Sequence, residues 1–343
     1  MEIDVKQNPL DLDKTMMTST VRRLVLCALL SAIHVAAGAQ QAKKPPRIGY
    51  LAAVSAAADA PRLNAFRQAL KELGYVEGQN IQIEYRHESQ DLQRLPEHAA
   101  DLVRLNVDVL VAVTSNAAVA AKKTTSTVPI VFMGVTDPIA IGLAESLARP
   151  GGNATGITNV AAILAGKRLE LLKEVLPKVS RVAVLWDPKA PGSIPQWDAS
   201  KEPAKKLGLQ LHSMEASNVD DYQAAFKGAV KARNHAVWVT LNPVANSNQK
   251  RIADLAVESG LPSICARSDY AENGCLIAYG PGYQTEGSDG ARYVDRILKG
   301  AKPADLPIEQ PTQFELVINL KTASAIGMTI PQPVLDRADK LVR

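Results

Sequence analysis

Residues 129–138 run Pro129-Ile130-Val131-Phe132-Met133-Gly134-Val135-Thr136-Asp137-Pro138. The stretch begins as a wholly apolar strand, opens at Gly134, and ends in a hydroxyl, a carboxylate and a proline. A buried strand that finishes this way is where an open α/β sheet places its ligand-contacting loops. Further on, Arg149-Pro150-Gly151-Gly152-Asn153 leads to Thr158-Asn159. A proline and two adjacent glycines there mark the point where the chain is expected to leave one lobe for another.

On the amino side of this stretch, strands and helices alternate. Arg47-Ile48-Gly49-Tyr50-Leu51 reads as the first strand, and residues 52–61 as a small-residue loop. Leu63, Phe66, Ala69, Leu70 and Leu73 recur at helical spacing, and Gly74 supplies the stop. Ile81, Ile83 and Tyr85 alternate as a second strand. An amphipathic helix over 95–105, a buried strand over 107–113 and a helix over 117–123 follow. Strand, helix, strand, helix in regular order predicts a parallel sheet covered on both faces, the α/β class.

On the carboxyl side the same grammar runs again. Arg181-Val182-Ala183-Val184-Leu185 repeats the first strand, Leu207-Gly208-Leu209 repeats Leu73-Gly74-Tyr75, and Leu261-Pro262-Ser263-Ile264 repeats Val128-Pro129-Ile130-Val131. Ser268-Asp269 then stands where Thr136-Asp137 stood. Any two βα units share some of this likeness; two similar Rossmann-like lobes is the reading adopted. The remaining pieces are a strand over 276–279, a helix over 283–299, a strand over 314–320, a short helix over 322–326 and a tail helix over 331–342. They are too few for a third domain and are expected to complete the two lobes. The expected division is 46–157 with 276–312 as the amino-terminal lobe, and 158–275 with 313–343 as the carboxyl-terminal lobe. Several crossings between lobes make a hinge.

The 343 residues are 46% hydrophobic and only 4% aromatic, with a formal charge of +4. That length can bury a large core. A charge so small, with no basic cluster interleaved with aromatics, argues against nucleic-acid binding. Arg22-Arg23, the apolar run over 24–33 and Ala37-Gly38-Ala39 are the three parts of a secretory signal peptide, with cleavage expected after Ala39 and an uncleaved anchor as the alternative. Residues 1–39 are thus read as an extension and signal peptide, with Met16 or Met17 as other possible starts, and the mature protein as periplasmic. Export leaves Cys265 and Cys275. In an oxidising compartment they can pair, and ten residues of separation permits a loop-closing bridge; two buried thiols at neighbouring strand ends fit the spacing as well.

Several chemistries lack their signatures. No G-x-G-x-x-G follows the first strand, where the turn reads Ala52-Ala53-Val54-Ser55-Ala56-Ala57, so no nucleotide cofactor is expected. Gly151-Gly152-Asn153-Ala154-Thr155-Gly156 lacks the Lys and Ser/Thr of a phosphate loop, and no G-x-S-x-G elbow occurs. His34, His87, His98, His212 and His235 show no metal-ligand spacing and read as solvated surface residues. Asp137, Asp187 and Asp269 have no partner base nearby in sequence, which leaves catalysis unsupported. What does recur is a short polar group at the end of successive apolar strands: Ser55, Thr114-Ser115-Asn116, Thr136-Asp137, Asp187, Asn242 and Ser268-Asp269. Two facing lobes would turn these rims into one cleft, able to hold a carboxylate or an amine. Helix capping explains the same residue types equally well.

Four segments carry a family resemblance. They are Phe66-Arg67-Gln68-Ala69-Leu70-Lys71-Glu72-Leu73-Gly74-Tyr75-Val76-Glu77-Gly78-Gln79-Asn80, Asp137-Pro138 with Leu147-Ala148-Arg149-Pro150-Gly151-Gly152-Asn153-Ala154-Thr155-Gly156, Gly166-Lys167-Arg168-Leu169-Glu170-Leu171-Leu172-Lys173-Glu174, and Ile297-Leu298-Lys299-Gly300-Ala301-Lys302-Pro303-Ala304-Asp305-Leu306-Pro307. With them the chain resembles the substrate-binding proteins of bacterial ABC transporters, the group that includes tryptophan/tyrosine-type binding proteins. The resemblance implies a type I periplasmic-binding-protein fold with a three-segment hinge, a small solute held in the cleft, and delivery to a membrane permease with its ATPase. A monomer is expected, with no cofactor or metal. By matching position, ligand contacts would fall near Ser55, Ser115, Thr136, Asp137, Thr158, Asp187, Asn242 and Asp269. Members often carry Gly-Thr-Pro where this chain has Thr114-Ser115-Asn116, which bears on the ligand more than on the class. A ligand sensor using the same cleft for signalling, and an enzyme on a two-lobed α/β fold, are the alternative functions.

Overall fold

The computed structural model describes residues 44–343, so the expected leader and its cleavage site lie outside the described residues. The first lobe is built on β1 (Arg47–Ala52), α1 (Ala56–Glu72), β2 (Gln82–His87), α2 (Leu95–Arg104), β3 (Val109–Val113), α3 (Thr114–Thr124), β4 (Ile130–Val135) and β5 (Ala154–Thr158). Its five strands are all parallel, in the order β2-β1-β3-β4-β5. Every residue of β3 and β4 is buried, because helices cover both faces of a parallel sheet and leave no polar side to the strand. β5 lies so close to β4 that a Cβ on Gly156, held at φ 146°, would sit 2.0 Å from the Phe132 carbonyl oxygen. Glycine is therefore required there.

The second lobe follows with α4 (Ala165–Val175), β6 (Arg181–Trp186), α5 (Ser193–Lys206), β7 (Gln210–Glu215), α6 (Asp221–Lys231), β8 (Ala236–Val239), α7 (Pro243–Ser247), α8 (Gln249–Glu258), β9 (Ser263–Cys265), α9 (Ser268–Glu272) and β10 (Ile277–Gly280). The chain then forms α10 (Tyr283–Leu298), β11 (Glu315–Asn319), α11 (Leu320–Ala325), α12 (Gln332–Leu335) and β12 (Lys340–Val342). The second sheet runs β12-β11-β10-β9-β8-β6-β7, with only β10 and β11 antiparallel. Stripped of β11 and β12, its order is that of the first sheet. The repeated sequence grammar is thus a repeated topology.

Three details differ from expectation. The expected division gives residues 276–280 to the first lobe, but Ile277–Gly280 pairs with β9 and β11, so the chain leaves the second lobe only at Pro281-Gly282. Strand pairing, not order along the chain, decides which lobe owns a strand. From there α10 does return to the first lobe, where Ala291, Tyr293, Val294 and Ile297 join the core around Tyr50 and Phe66. The expected tail helix over 331–342 is a single turn at Gln332–Leu335 followed by β12, which pairs parallel with β11. Finally, α1 begins at Ala56 and α3 at Thr114, earlier than their apolar periodicity shows; the first turn of α3 lines the cleft, and that of α1 is built of small residues, with Ser55 as its cap.

The crossings lie side by side. Thr158 N donates to Glu309 O at 3.0 Å and Glu309 N to Gly156 O at 3.0 Å, which joins the end of β5 to the segment returning toward β11. Cys265 and Cys275 form a disulfide with their Cα atoms 6.6 Å apart, bracketing α9. Of the two arrangements their spacing allowed, the structure has the bridge.

Candidate functional site

The carboxyl ends of the two sheets face each other, and the residues there enclose a cavity of about 20 Å3. In the first wall, β3 passes into α3 with no loop between. The turn is taken by Thr114 at φ 78°. A β-branched residue in the left-handed region is strained, and such strain concentrates at functional sites. No side chain caps α3, so its first turn presents backbone N–H groups and the positive end of the helix dipole. Thr114 Oγ1 and Asn116 Oδ1 line the cavity and have no hydrogen-bond partner.

A chain of hydrogen bonds ties this wall to the hinge. Thr136 N donates to Ser115 Oγ at 3.1 Å, Thr136 Oγ1 donates to Asn159 Oδ1 at 3.0 Å, and Asn159 Nδ2 donates to Gly134 O at 2.8 Å. Asn159 Oδ1 also accepts from Ala161 N at 3.0 Å. Asn159 therefore holds the end of β4 and the first crossing together.

The second wall is set by Gln196, which is fully buried. Its Nε2 donates to Gly192 O at 2.7 Å and Leu241 O at 2.9 Å, while its Oε1 accepts from Leu241 N at 2.9 Å. That clamp presses Gly192 against the opposite lobe. A Cβ on Gly192 would lie 2.7 Å from Ser115 Oγ and 3.2 Å from Thr136 Oγ1, so a side chain there would have to displace these hydroxyls. Ser55 N donates to Ser247 Oγ at 3.1 Å, a second direct contact between the lobes. Asn242 caps α7 by accepting from Ala245 N at 2.8 Å.

Two buried arginines complete the lining, Arg62 at 2% and Arg267 at 3% exposure. Arg62 pairs with Asp59 at 2.7 Å and with Glu286 at 2.9 Å. Asp59 also accepts from Tyr50 Oη at 2.8 Å and faces His87 Nε2 at 3.4 Å. Burial works against the Asp59 charge, but His87, Arg62 and Tyr50 together hold its carboxyl below the ordinary range. Arg267 grips Asp269 through both oxygens, at 3.0 and 3.1 Å. Burial likewise opposes the Asp269 charge, and Arg267 with Gln249 outweighs it and lowers that pKa.

Behind the cleft stands Arg168, fully buried. Its Nη1 donates to Ala161 O at 2.8 Å, its Nε to Tyr279 O at 2.9 Å, and its Nη2 reaches Ala266 O at 3.5 Å. Ala161 follows the first crossing, Tyr279 precedes the second, and Ala266 adjoins Arg267. Burial pushes this guanidinium down to about 9, which still leaves it charged at neutral pH.

Of the residues expected at the site, Ser115, Thr136 and Asn242 line the cavity. Ser55 and Asp269 line a neighbouring groove of about 630 Å3 between α1 and α8, and Ser55 Oγ also caps α1 through Ala58 N at 3.3 Å. Asp137 lies in another, separate groove and accepts from Ala140 N at 3.0 Å. Thr158 and Asp187 fall outside the lining. Thr158 Oγ1 accepts from Val160 N at 3.0 Å within the hinge, and Asp187 Oδ1 accepts from Lys189 N at 2.9 Å and Ser217 Oγ at 2.7 Å. Both bond local backbone donors, and for Asp187 such a local role is the alternative its residue type also allows. The sequence reading missed Arg62, Gly192, Asn246 and Arg267. The three-residue spacing of Asp59 and Arg62 was the one visible signal, since it places them on one helix face. His87, read as a surface residue, is instead part of the Asp59 cluster. Among the described residues no group of three His, Cys, Asp or Glu side chains could hold a metal ion, and no helix is long and apolar enough to cross a membrane.

Two lobes of parallel sheet joined in this way have the type I periplasmic-binding-protein fold. The chain is 27% identical over 263 residues to a tyrosine-binding protein of Clostridioides difficile, covering 77% of this chain and 75% of the relative. A conserved domain protein from Vibrio cholerae superposes with a TM-score of 0.83 at 29% identity, covering 87% of this chain and 100% of that one. An ABC domain from Streptococcus pneumoniae in complex with L-Trp superposes with a TM-score of 0.80 at 26% identity, covering 87% and 99%. A family model described as ABC transporter substrate binding protein matches residues 47–342, and the chain belongs to that family.

Proposed function

We propose that this protein is the exported solute-binding component of an ABC importer, closing its two lobes on a small polar molecule of the amino-acid class and delivering it to a permease and its ATPase. The observation that carries this reading is the pair of unpartnered polar atoms, Thr114 Oγ1 and Asn116 Oδ1, in a cavity walled by both lobes. A buried polar atom without a partner is costly, and a ligand that supplies the partner recovers that cost. The uncapped first turn of α3 suits a carboxylate. Ligand contacts made to both walls only when the lobes are shut would bias the hinge toward closure. The two amino-acid binders among the relatives support the ligand class.

A thermal-shift panel of amino acids, related acids and amines tests the reading. A true ligand at about a hundred times its Kd stabilises the protein by about 2.7 kcal/mol. Radiolabelled uptake should fall when the protein is deleted. Absence of stabilisation by any solute, with uptake intact after deletion, refutes the proposal. Uptake unchanged but a transcriptional or chemotactic response lost would assign the same cleft to sensing.

A further inference from the structure

We infer that the ligand is a small, singly charged carboxylate with a hydrogen-bond donor on the adjacent carbon, an α-amino or α-hydroxy acid, and not an aromatic amino acid. The inference rests on the solute-binding reading above and narrows its ligand.

The first ground is the chemistry of the wall. Apart from Leu241 and Pro243, every residue lining the cavity is polar, charged or glycine, and none is aromatic. A phenol or indole ring buries a large apolar face, which needs apolar or aromatic neighbours. Set against amide, hydroxyl and guanidinium groups, it would strip their hydrogen bonds without replacing them. The second ground is room. A Cβ on Gly192 would meet Ser115 and Thr136, and Ser55 N donates to Ser247 Oγ, so the lobes approach closely on two sides of a cavity of about 20 Å3. A molecule of a few heavy atoms asks the hinge to open slightly, whereas an aromatic side chain would hold both contacts apart.

The third ground is the pattern of unmet bonds. Thr114 is 6% exposed, its Oγ1 has no partner, and it begins an uncapped helix of 11 residues. A hydroxyl donor beside free helix N–H groups matches one carboxylate. Asn116 Oδ1, two residues along the same turn, is an acceptor without a donor. It matches an ammonium or hydroxyl on the carbon next to that carboxylate. A second anionic group has no counterpart, because Arg62 already faces Asp59 and Glu286, and Arg267 already faces Asp269.

Isothermal titration of the mature protein with L-serine, L-alanine, L-lactate, propionate, succinate, L-tyrosine and L-tryptophan tests this. Serine, alanine or lactate should bind at least about a hundredfold more tightly than tyrosine, tryptophan or succinate, the loss of two or three well-made polar contacts. Asn116→Ala should weaken the α-substituted acid about tenfold while leaving propionate nearly unchanged, and Thr114→Val should weaken both. Tyrosine or tryptophan binding as tightly as the small acids overturns the inference and leaves the solute-binding reading standing. Equal loss for propionate and lactate in Asn116→Ala overturns the assignment of the α-substituent. Binding of none of these ligands, with no shift in the wider panel, overturns both.

Discussion

Replacing Arg168 with methionine removes a fully buried cation that has no carboxylate within ion-pair distance among the described residues. Its two well-formed bonds, 2.8 Å to Ala161 O and 2.9 Å to Tyr279 O, each contribute about 1.5–3 kcal/mol as charge-assisted bonds. The methionine fills much of the same volume, and release of the desolvated guanidinium returns part of the loss. The expected net destabilisation is about 2–4 kcal/mol. Urea unfolding followed by tryptophan fluorescence measures it well, since Trp186, Trp197 and Trp238 all pack in the second lobe. The midpoint should fall with the slope unchanged. Arg168→Lys should recover little, because a point-like ammonium cannot bridge three carbonyls as a planar fork does. In both variants ligand affinity should fall further than cleft chemistry explains, because the two crossings are no longer held at one spacing. A methionine variant as stable as the parent, or a lysine variant with full stability, refutes the view that these carbonyls depend on the guanidinium.

Glu286→Gln keeps the shape of a buried partner of Arg62 but removes its charge, and should cost about 2–4 kcal/mol in urea midpoints, with a change below about 0.5 kcal/mol counting against the ion cluster. Asp59 and Asp269 have folded pKa values lowered below their unfolded range near about 3.9, so their stabilising contribution is complete above that pH and is lost as pH falls through the folded values. Acid titration of stability should therefore steepen below about pH 4, and Asp269→Asn should flatten it; an unchanged acid slope contradicts the Arg267 pairing. Reduction of the Cys265–Cys275 bridge, or Cys265→Ser with Cys275→Ser, should cost about 2–3 kcal/mol for a loop of this length and loosen the α9 wall that carries Asp269, read as weaker ligand binding alongside a lower melting temperature.

The alternation of apolar strands and amphipathic helices was enough to place both lobes, because burial on both faces of a parallel sheet leaves a continuous hydrophobic run such as Ile130–Met133. It also located Ser115, Thr136 and Asn242 on the cavity wall, since strand ends in such sheets point into the crevice. It did not separate them from Asp187, which has the same chemistry and position but satisfies a local backbone donor instead, as does Thr158, which the family resemblance adds. That choice depends on which way each turn rotates its side chain, and residue type alone does not encode it.

What the chain by itself determined is therefore the class, the two-lobed repeat and the rim on which a ligand is expected, because all three follow from local periodicity and turn chemistry. The tertiary structure decided the rest. Arg62 meets Glu286 across 224 residues of sequence, β10 belongs to the second sheet by its pairing, and Gly192 stands where a Cβ would crowd hydroxyls of the other lobe. Each of these depends on contacts between segments remote in sequence, and a buried charge or a close approach becomes meaningful only once its neighbour is in place.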